Sequence, residues 1–153
     1  MILRERIEIN ATAEQVWSVL SDPGRMSEWN PHCVRCEADE DTMRVGLHFR
    51  ATMRFHGGPE RQVDCEVIAC EPARILALRF SGAAPGGAGE YVEETYGFQS
   101  TAEGTELLHQ VDFSYSGLPW FLRIVLKVIH LLGQSHGPSP LDVLKELAEG
   151  TPR

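Results

Sequence analysis

The sequence predicts an α+β domain in which an antiparallel sheet packs against a helix near the C-terminal end. Three observations lead there. The longest apolar run, Leu118 to Leu132 (LPWFLRIVLKVIHLL), sets Arg123, Lys127, His130 and Gln134 on one stripe of a helix. Phe121, Leu122, Val125, Val128, Ile129 and Leu132 lie opposite, and so apolar a face needs a broad surface to lie against. From residue 33 to 115 the chain alternates apolar and polar residues in stretches parted by turn signals, the pattern of a meander. Ahead of the meander, one strand feeds a capped helix.

Taken in order, residues 2 to 10 read as a strand, with Leu3, Ile7 and Ile9 on one parity and charged residues mainly on the other. Thr12 is placed to cap a helix, and Gln15 three positions on completes a capping box. That helix carries Val16, Trp17, Val19 and Leu20 and stops at Ser21-Asp22-Pro23-Gly24. A short helical turn from Met26 to Trp29 closes at Asn30-Pro31. Strands are expected at 33 to 39, 45 to 56, 61 to 71, 74 to 81, 90 to 99 and 105 to 115. In the second of these, Val45, Leu47, Phe49, Ala51, Met53 and Phe55 face one way and His48, Arg50, Thr52, Arg54 and His56 the other. One face is covered and one is wet, as a sheet packed on a helix requires. The segment GAAPGGAG (82 to 89) reads as a connector loop. The run from Gly133 to Pro140 breaks the long helix, and an amphipathic helix from Leu141 to Glu149 follows. Residues 1 to 149 are read as a single domain and 150 to 153 as a short tail.

A chain of 153 residues buries roughly 70% of its unfolded surface, enough for a core with a cavity inside it. The formal net charge of −8 argues against nucleic acid, whose phosphates would be repelled, and against an anionic membrane. No apolar signal-peptide core opens the chain, and Arg123, Lys127 and His130 interrupt the best candidate for a membrane span. A cytoplasmic protein is expected. In that setting Cys33, Cys36, Cys65 and Cys70 are expected to be free thiols. Cys33-Val-Arg-Cys36 after His32 is a weak zinc signal, because on a regular strand the two sulfurs face opposite ways, and Cys65 and Cys70 are expected to split between faces too; no metal site and no cofactor are expected. No nucleophile elbow, phosphate-binding loop or dinucleotide fingerprint is present.

The opening IEINATAEQVWSVLSDPGRMSEWNP (7 to 31) resembles the START-like (SRPBCC) superfamily, in particular its polyketide cyclase/dehydrase and lipid-transport branch. Ala11, Val16, Trp17, Leu20, Asp22, Pro23, Trp29 and Pro31 stand at the matching places, and Glu103-Gly104-Thr105 matches the hairpin between the last two strands. The resemblance implies a helix-grip fold: about seven strands curved around a C-terminal helix, two short helices after the first strand, and an apolar cavity between sheet and helix. It implies a binder of hydrophobic small molecules (aromatic, polyketide-like or acyl) and carries over no catalytic set. The interrupted C-terminal helix is a departure from the pattern.

Alternation then says which side chains face that cavity. Leu107, His109, Val111, Phe113 and Tyr115 share one face of the last strand, and Val92, Glu94, Tyr96 and Phe98 share one face of the strand before it. Pairing Phe98 with Leu107 sets Tyr96 opposite His109 and Glu94 on the diagonal. These three are the candidates for proton-transfer chemistry, burial raising the Glu94 pKa; as a bland alternative they satisfy one another in a ligand-binding wall. Expected ligand contacts are Leu47, Phe49, Met53, Phe55, Glu94, Tyr96, His109, Phe113, Phe121 and Val125. The rival to a binder is a cyclase/dehydratase-type enzyme using His109 and Glu94. A third reading is an interaction protein docking through the helix at 118 to 132, where Trp120, Ile124 and Leu131 flank Lys127. Coverage of that surface or a homodimer ranks ahead of membrane contact, given the acidic charge.

Overall fold

The computed structural model describes residues 1–55, 57–82, 89–132 and 139–150, without the side chains of Trp120, Ile129, His130 and Leu132. Its elements run β1 (Ile2–Ile9), α1 (Ala13–Leu20), a short 3₁₀ turn (Pro23–Arg25), α2 (Met26–Trp29), β2 (Cys33–Glu37), β3 (His48–Met53), β4 (Arg61–Glu71), β5 (Ile75–Ser81), β6 (Tyr91–Ser100), β7 (Thr105–Asp112), α3 (Trp120–Leu132) and α4 (Pro140–Glu149). Among the described residues the strands form one antiparallel sheet in the order β1-β7-β6-β5-β4-β3-β2. The meander from β2 to β7 pairs each strand with its sequence neighbour. β1 closes the far edge by pairing with β7. The expected strands and helices are present, with β3 and β7 ending about three residues short of their apolar pattern.

Local chemistry sets the boundaries of the first helix. The Gln15 amide N–H donates to Thr12 Oγ1 at 3.2 Å, and the Thr12 N–H donates to Gln15 Oε1 at 2.8 Å, the reciprocal capping box. Asp22 accepts from the Gly24 N–H at 2.9 Å and starts the 3₁₀ turn where Pro23 cannot continue α1. Val16, Val19 and Leu20 of α1 and Met26 and Trp29 of α2 turn inward onto the core. The hairpin between β6 and β7 is tied to the start of α1: Thr105 Oγ1 donates to the Ala11 carbonyl at 2.9 Å. A Cβ at Gly104 would lie 2.2 Å from the Ile9 carbonyl oxygen, so only glycine lets the hairpin pass that close.

The helix held against the other elements is α4. Ser139 caps it, Pro140 occupies its first turn, and Gly150 in the left-handed region ends it. Leu141, Val143 and Leu144 are buried among α1, α2 and β1. α3 corrects the expectation that so apolar a helix must be covered. Phe121 is 53% exposed, Val125 49% and Leu131 73%, and α3 makes few contacts with the other described elements. The physical reason is the split of the helical segment. α4 forms separately and takes the place beside α1 and α2. The helix-break residues 133–138, with Gln134, and residues 83–88 and His56 lie outside the described residues.

Two β-bulges correct the expected placing of the cysteines. An irregularity between Cys33 and Arg35 sets Cys33 opposite Met53 and Cys36 opposite Ala51, two positions of one face. A second, between Val67 and Ala69, sets Cys65 opposite Phe80 and Cys70 opposite Leu76, again one face. All four are free thiols turned to the core side instead of splitting between faces. Burial pushes the Cys33 thiol up to about 11 and Cys36 up to about 12, and raises Cys65 further. These are packing groups, not reactive ones.

Candidate functional site

A cavity of about 310 Å³ opens on the inner face of the sheet. Alternation along five strands and the segment after β7 supplies its wall: Met53 from β3, Val63 from β4, Phe80 from β5, Val92, Glu94 and Tyr96 from β6, His109 and Val111 from β7, then Phe113. Asn30 and His32 close one side after α2, with Phe55 beside the His32 ring at 5.1 Å between centroids. Ser116, Leu118 and Pro140 close the side toward the C-terminal segment. The wall is mainly apolar with a few placed polar groups, as small-molecule sites commonly are.

The polar groups of the sheet converge on one carboxylate. β6 and β7 pair Phe98 with Leu107, Tyr96 with His109 and Glu94 with Val111, the register expected from alternation. Glu94 Oε2 accepts the Tyr96 hydroxyl at 2.7 Å and lies 3.2 Å from His109 Nε2. The Tyr96 and His109 rings stack, with centroids 4.6 Å apart and planes 15° from parallel. The fully buried Trp29 meets Tyr96 edge-on at 6.1 Å. Neighbours on three sides thus fix the orientation of Tyr96. The Glu94 side chain is 24% exposed and that of His109 12%.

Burial alone would raise the Glu94 pKa, as the sequence reading expected. It is outweighed by the hydrogen bond and charge of His109, the Tyr96 hydroxyl and the charge of His32, which together hold the carboxyl below its ordinary value. Burial, followed by the Glu94 charge, pushes Tyr96 well above the usual phenol value. At neutral pH the site therefore presents an ionised carboxylate and a protonated phenol.

Of the residues expected at a ligand, Met53, Phe55, Glu94, Tyr96, His109 and Phe113 line this cavity. Leu47 and Phe49 do not; both are buried in the core beside it. Phe121 and Val125 lie on the exposed α3 and are absent from the lining. Val63 and Phe80 also line the cavity, on the inward parity of β4 and β5 (Val63, Cys65, Val67; Leu76, Leu78, Phe80), a signal the sequence does carry. Asn30, His32, Ser116, Leu118 and Pro140 belong to connecting segments, where no periodicity marks a side chain as inward. Among the described residues no group of three or more His, Cys, Asp or Glu is placed to hold a metal ion. No helix among them is long and apolar enough to cross a membrane.

Sheet, helices and cavity define a helix-grip protein. The family model described as polyketide cyclase / dehydrase and lipid transport matches residues 2–129, and the chain belongs to that family. No curated protein matches the sequence significantly. Among solved structures the chain is similar to protein MLL2253 from Mesorhizobium loti (21% identity, TM-score 0.70, all of both chains covered). It is also similar to the di-domain ARO/CYC protein StfQ from the steffimycin biosynthetic pathway (17% identity, TM-score 0.68), covering 97% of this chain and 50% of that one. Ara h 8.0201 shares the fold at 13% identity and a TM-score of 0.63, with 98% and 95% covered. At these identities the likeness is one of fold.

Proposed function

We propose that the protein binds a small hydrophobic molecule, aromatic or acyl, in the cavity between the sheet and the C-terminal segment. The observation that carries this reading is the cavity itself: a mainly apolar wall with a few polar groups, among them the hydrogen-bonded cluster Glu94–Tyr96–His109. A general base works best with a pKa near the operating pH, and Glu94 is shifted the other way. That supports an anchoring role over catalysis. Native mass spectrometry of the protein as isolated, followed by extraction, tests the proposal. A co-purifying apolar compound, or stoichiometric uptake of a neutral fluorescent probe, is expected. A protein that arrives empty and takes up no such probe would refute it.

One observation favours a second reading. The carboxylate at 3.2 Å from Nε2 orients the His109 imidazole, as acid–base enzymes orient theirs. In a cyclase/dehydratase-type reaction His109 would then move the proton. Turnover of a bound ligand, abolished in His109→Ala while binding persists, is the result that reading requires.

A further inference from the structure

α3 carries a surface that the cavity does not use. Phe121, Leu122, Ile124, Val125, Val128 and Leu131 are all exposed, Ile124 at 53% and Leu131 at 73%. At about 100° per residue these six positions span about half the circumference of the helix. A helix ordinarily gives one packing partner a stripe of roughly 100°, so a single neighbouring helix would leave part of this arc in water. The boundary between lipid headgroups and acyl chains covers a whole apolar face at once.

Charge on this segment differs from that of the rest of the chain. Of the 22 Asp and Glu residues none lies between 113 and 141, whereas Arg123 and Lys127 stand one turn apart on α3. Lys127 is exposed and borders the arc beside Ile124 and Leu131; Arg123 is half-buried, its Nε donating to the Leu118 carbonyl at 2.9 Å. The formal net charge of −8 weighs against an anionic membrane only as an average, because the carboxylates that carry it lie outside this segment. Exposed charges are screened beyond about 8 Å at physiological ionic strength, and α3 is about 20 Å long, so a bilayer touching it meets the local cations first. We infer that α3 docks the protein onto a membrane surface bearing anionic lipid headgroups. The apolar arc sinks to the acyl-chain boundary, and the long stems of Lys127 and Arg123 carry their charges up to the phosphates. Leu118, two residues ahead of α3, lines the cavity, so docking sets the cavity wall beside the bilayer.

Co-sedimentation of the full chain with phosphatidylcholine vesicles, with and without phosphatidylglycerol, at low and at physiological salt, tests the inference. Binding to the anionic vesicles is expected to be about tenfold or more tighter than to the neutral ones and to weaken as salt rises. Lys127→Gln should weaken it about fivefold, the share of one cation near an anionic surface. Val125→Glu/Leu131→Glu alters two exposed positions outside the cavity wall and should abolish binding while the urea midpoint stays in place. No binding to either vesicle, equal binding to both, or binding undiminished in Val125→Glu/Leu131→Glu would overturn the inference. So would a dimer in sedimentation equilibrium that the same double variant dissociates, because a second copy would then cover α3. The lipid comparison and Lys127→Gln decide the matter should the double variant fail to fold.

Discussion

Replacing His109 by phenylalanine tests how the cavity tolerates its charge. His109→Phe keeps a flat ring over Tyr96, where the present centroids stand 4.6 Å apart, but removes the Nε2 that faces Glu94. The carboxylate then retains the Tyr96 hydroxyl and the charge of His32 in a mainly apolar wall, without the largest influence that offset its burial. A carboxylate so placed takes up a proton instead of staying charged, and the cost of that proton caps this part of the destabilisation, to which the lost His109 contact adds its own share. Each pH unit above an ordinary Glu value of about 4.3 costs roughly 1.4 kcal/mol, so the ceiling is about 3.7 kcal/mol at neutral pH and about 1 kcal/mol at pH 5. The sign follows from linkage. In the unaltered protein the Glu94 pKa is depressed, so its contribution is fully present above the unfolded value and is lost as pH falls through the folded value. In His109→Phe the shift reverses, and the penalty fades as pH falls. Urea unfolding of the unaltered protein, His109→Phe and the double variant Glu94→Gln/His109→Phe at the two pH values measures it. The double variant should recover most of the loss, because no charge remains to be desolvated. A single-variant penalty equal at both pH values, or undiminished in the double variant, would refute the reasoning.

Other outcomes follow from the fold. Gly104→Ala drives a Cβ to 2.2 Å from the Ile9 carbonyl oxygen and should cost about 2–4 kcal/mol in chemical denaturation, whereas Gly46→Ala, with open space around its Cβ, should cost less. Thr105→Val keeps the shape but leaves the buried Ala11 carbonyl without its donor, a loss of about 1–3 kcal/mol by the same measurement. Leu144→Ala, at a fully buried position of α4, should cost about 2–5 kcal/mol, while Leu131→Ala on α3 should change stability by less than about 0.5 kcal/mol. Thiol titration with an aromatic disulfide at mildly alkaline pH should find Cys33, Cys36 and Cys65 far slower than a free thiol, and all four cysteines reactive in denaturant. Fast native reaction at Cys33 or Cys65 would contradict their placement on the core side.

Much of this architecture was legible in the residues because periodicity and capping are local signals. Thr12 with Gln15 fixed the start of α1, and parity along 92–98 and 107–113 gave the β6–β7 register and with it the Glu94–Tyr96–His109 cluster. What parity could not reveal were the two bulges. Each adds one residue to a strand and so turns Cys36 and Cys70 to the core side, and nothing in the composition around them announces it. The direction of the Glu94 shift is not legible for a related reason: burial can be read from a strand pattern, but the hydrogen bonds and charges that outweigh it depend on how side chains from different elements meet. Apolar spacing along α3 marks a face that can be covered, not one that is. Which of two successive helices packs against α1 and α2 is decided by tertiary competition, and α4 takes that place.

Where a ligand binds is the central claim, and methyl-resolved NMR during titration of naphthol tests it most directly. Binding in the cavity predicts that the methyl signals of Met53, Val63, Val92 and Val111 shift together and saturate at one equivalent, while those of Val16, Val19 and Leu20 beneath α1 stay in place. Shifts confined to the exposed Val125, Val128 and Leu131 of α3, with the four cavity methyls unmoved, would contradict it.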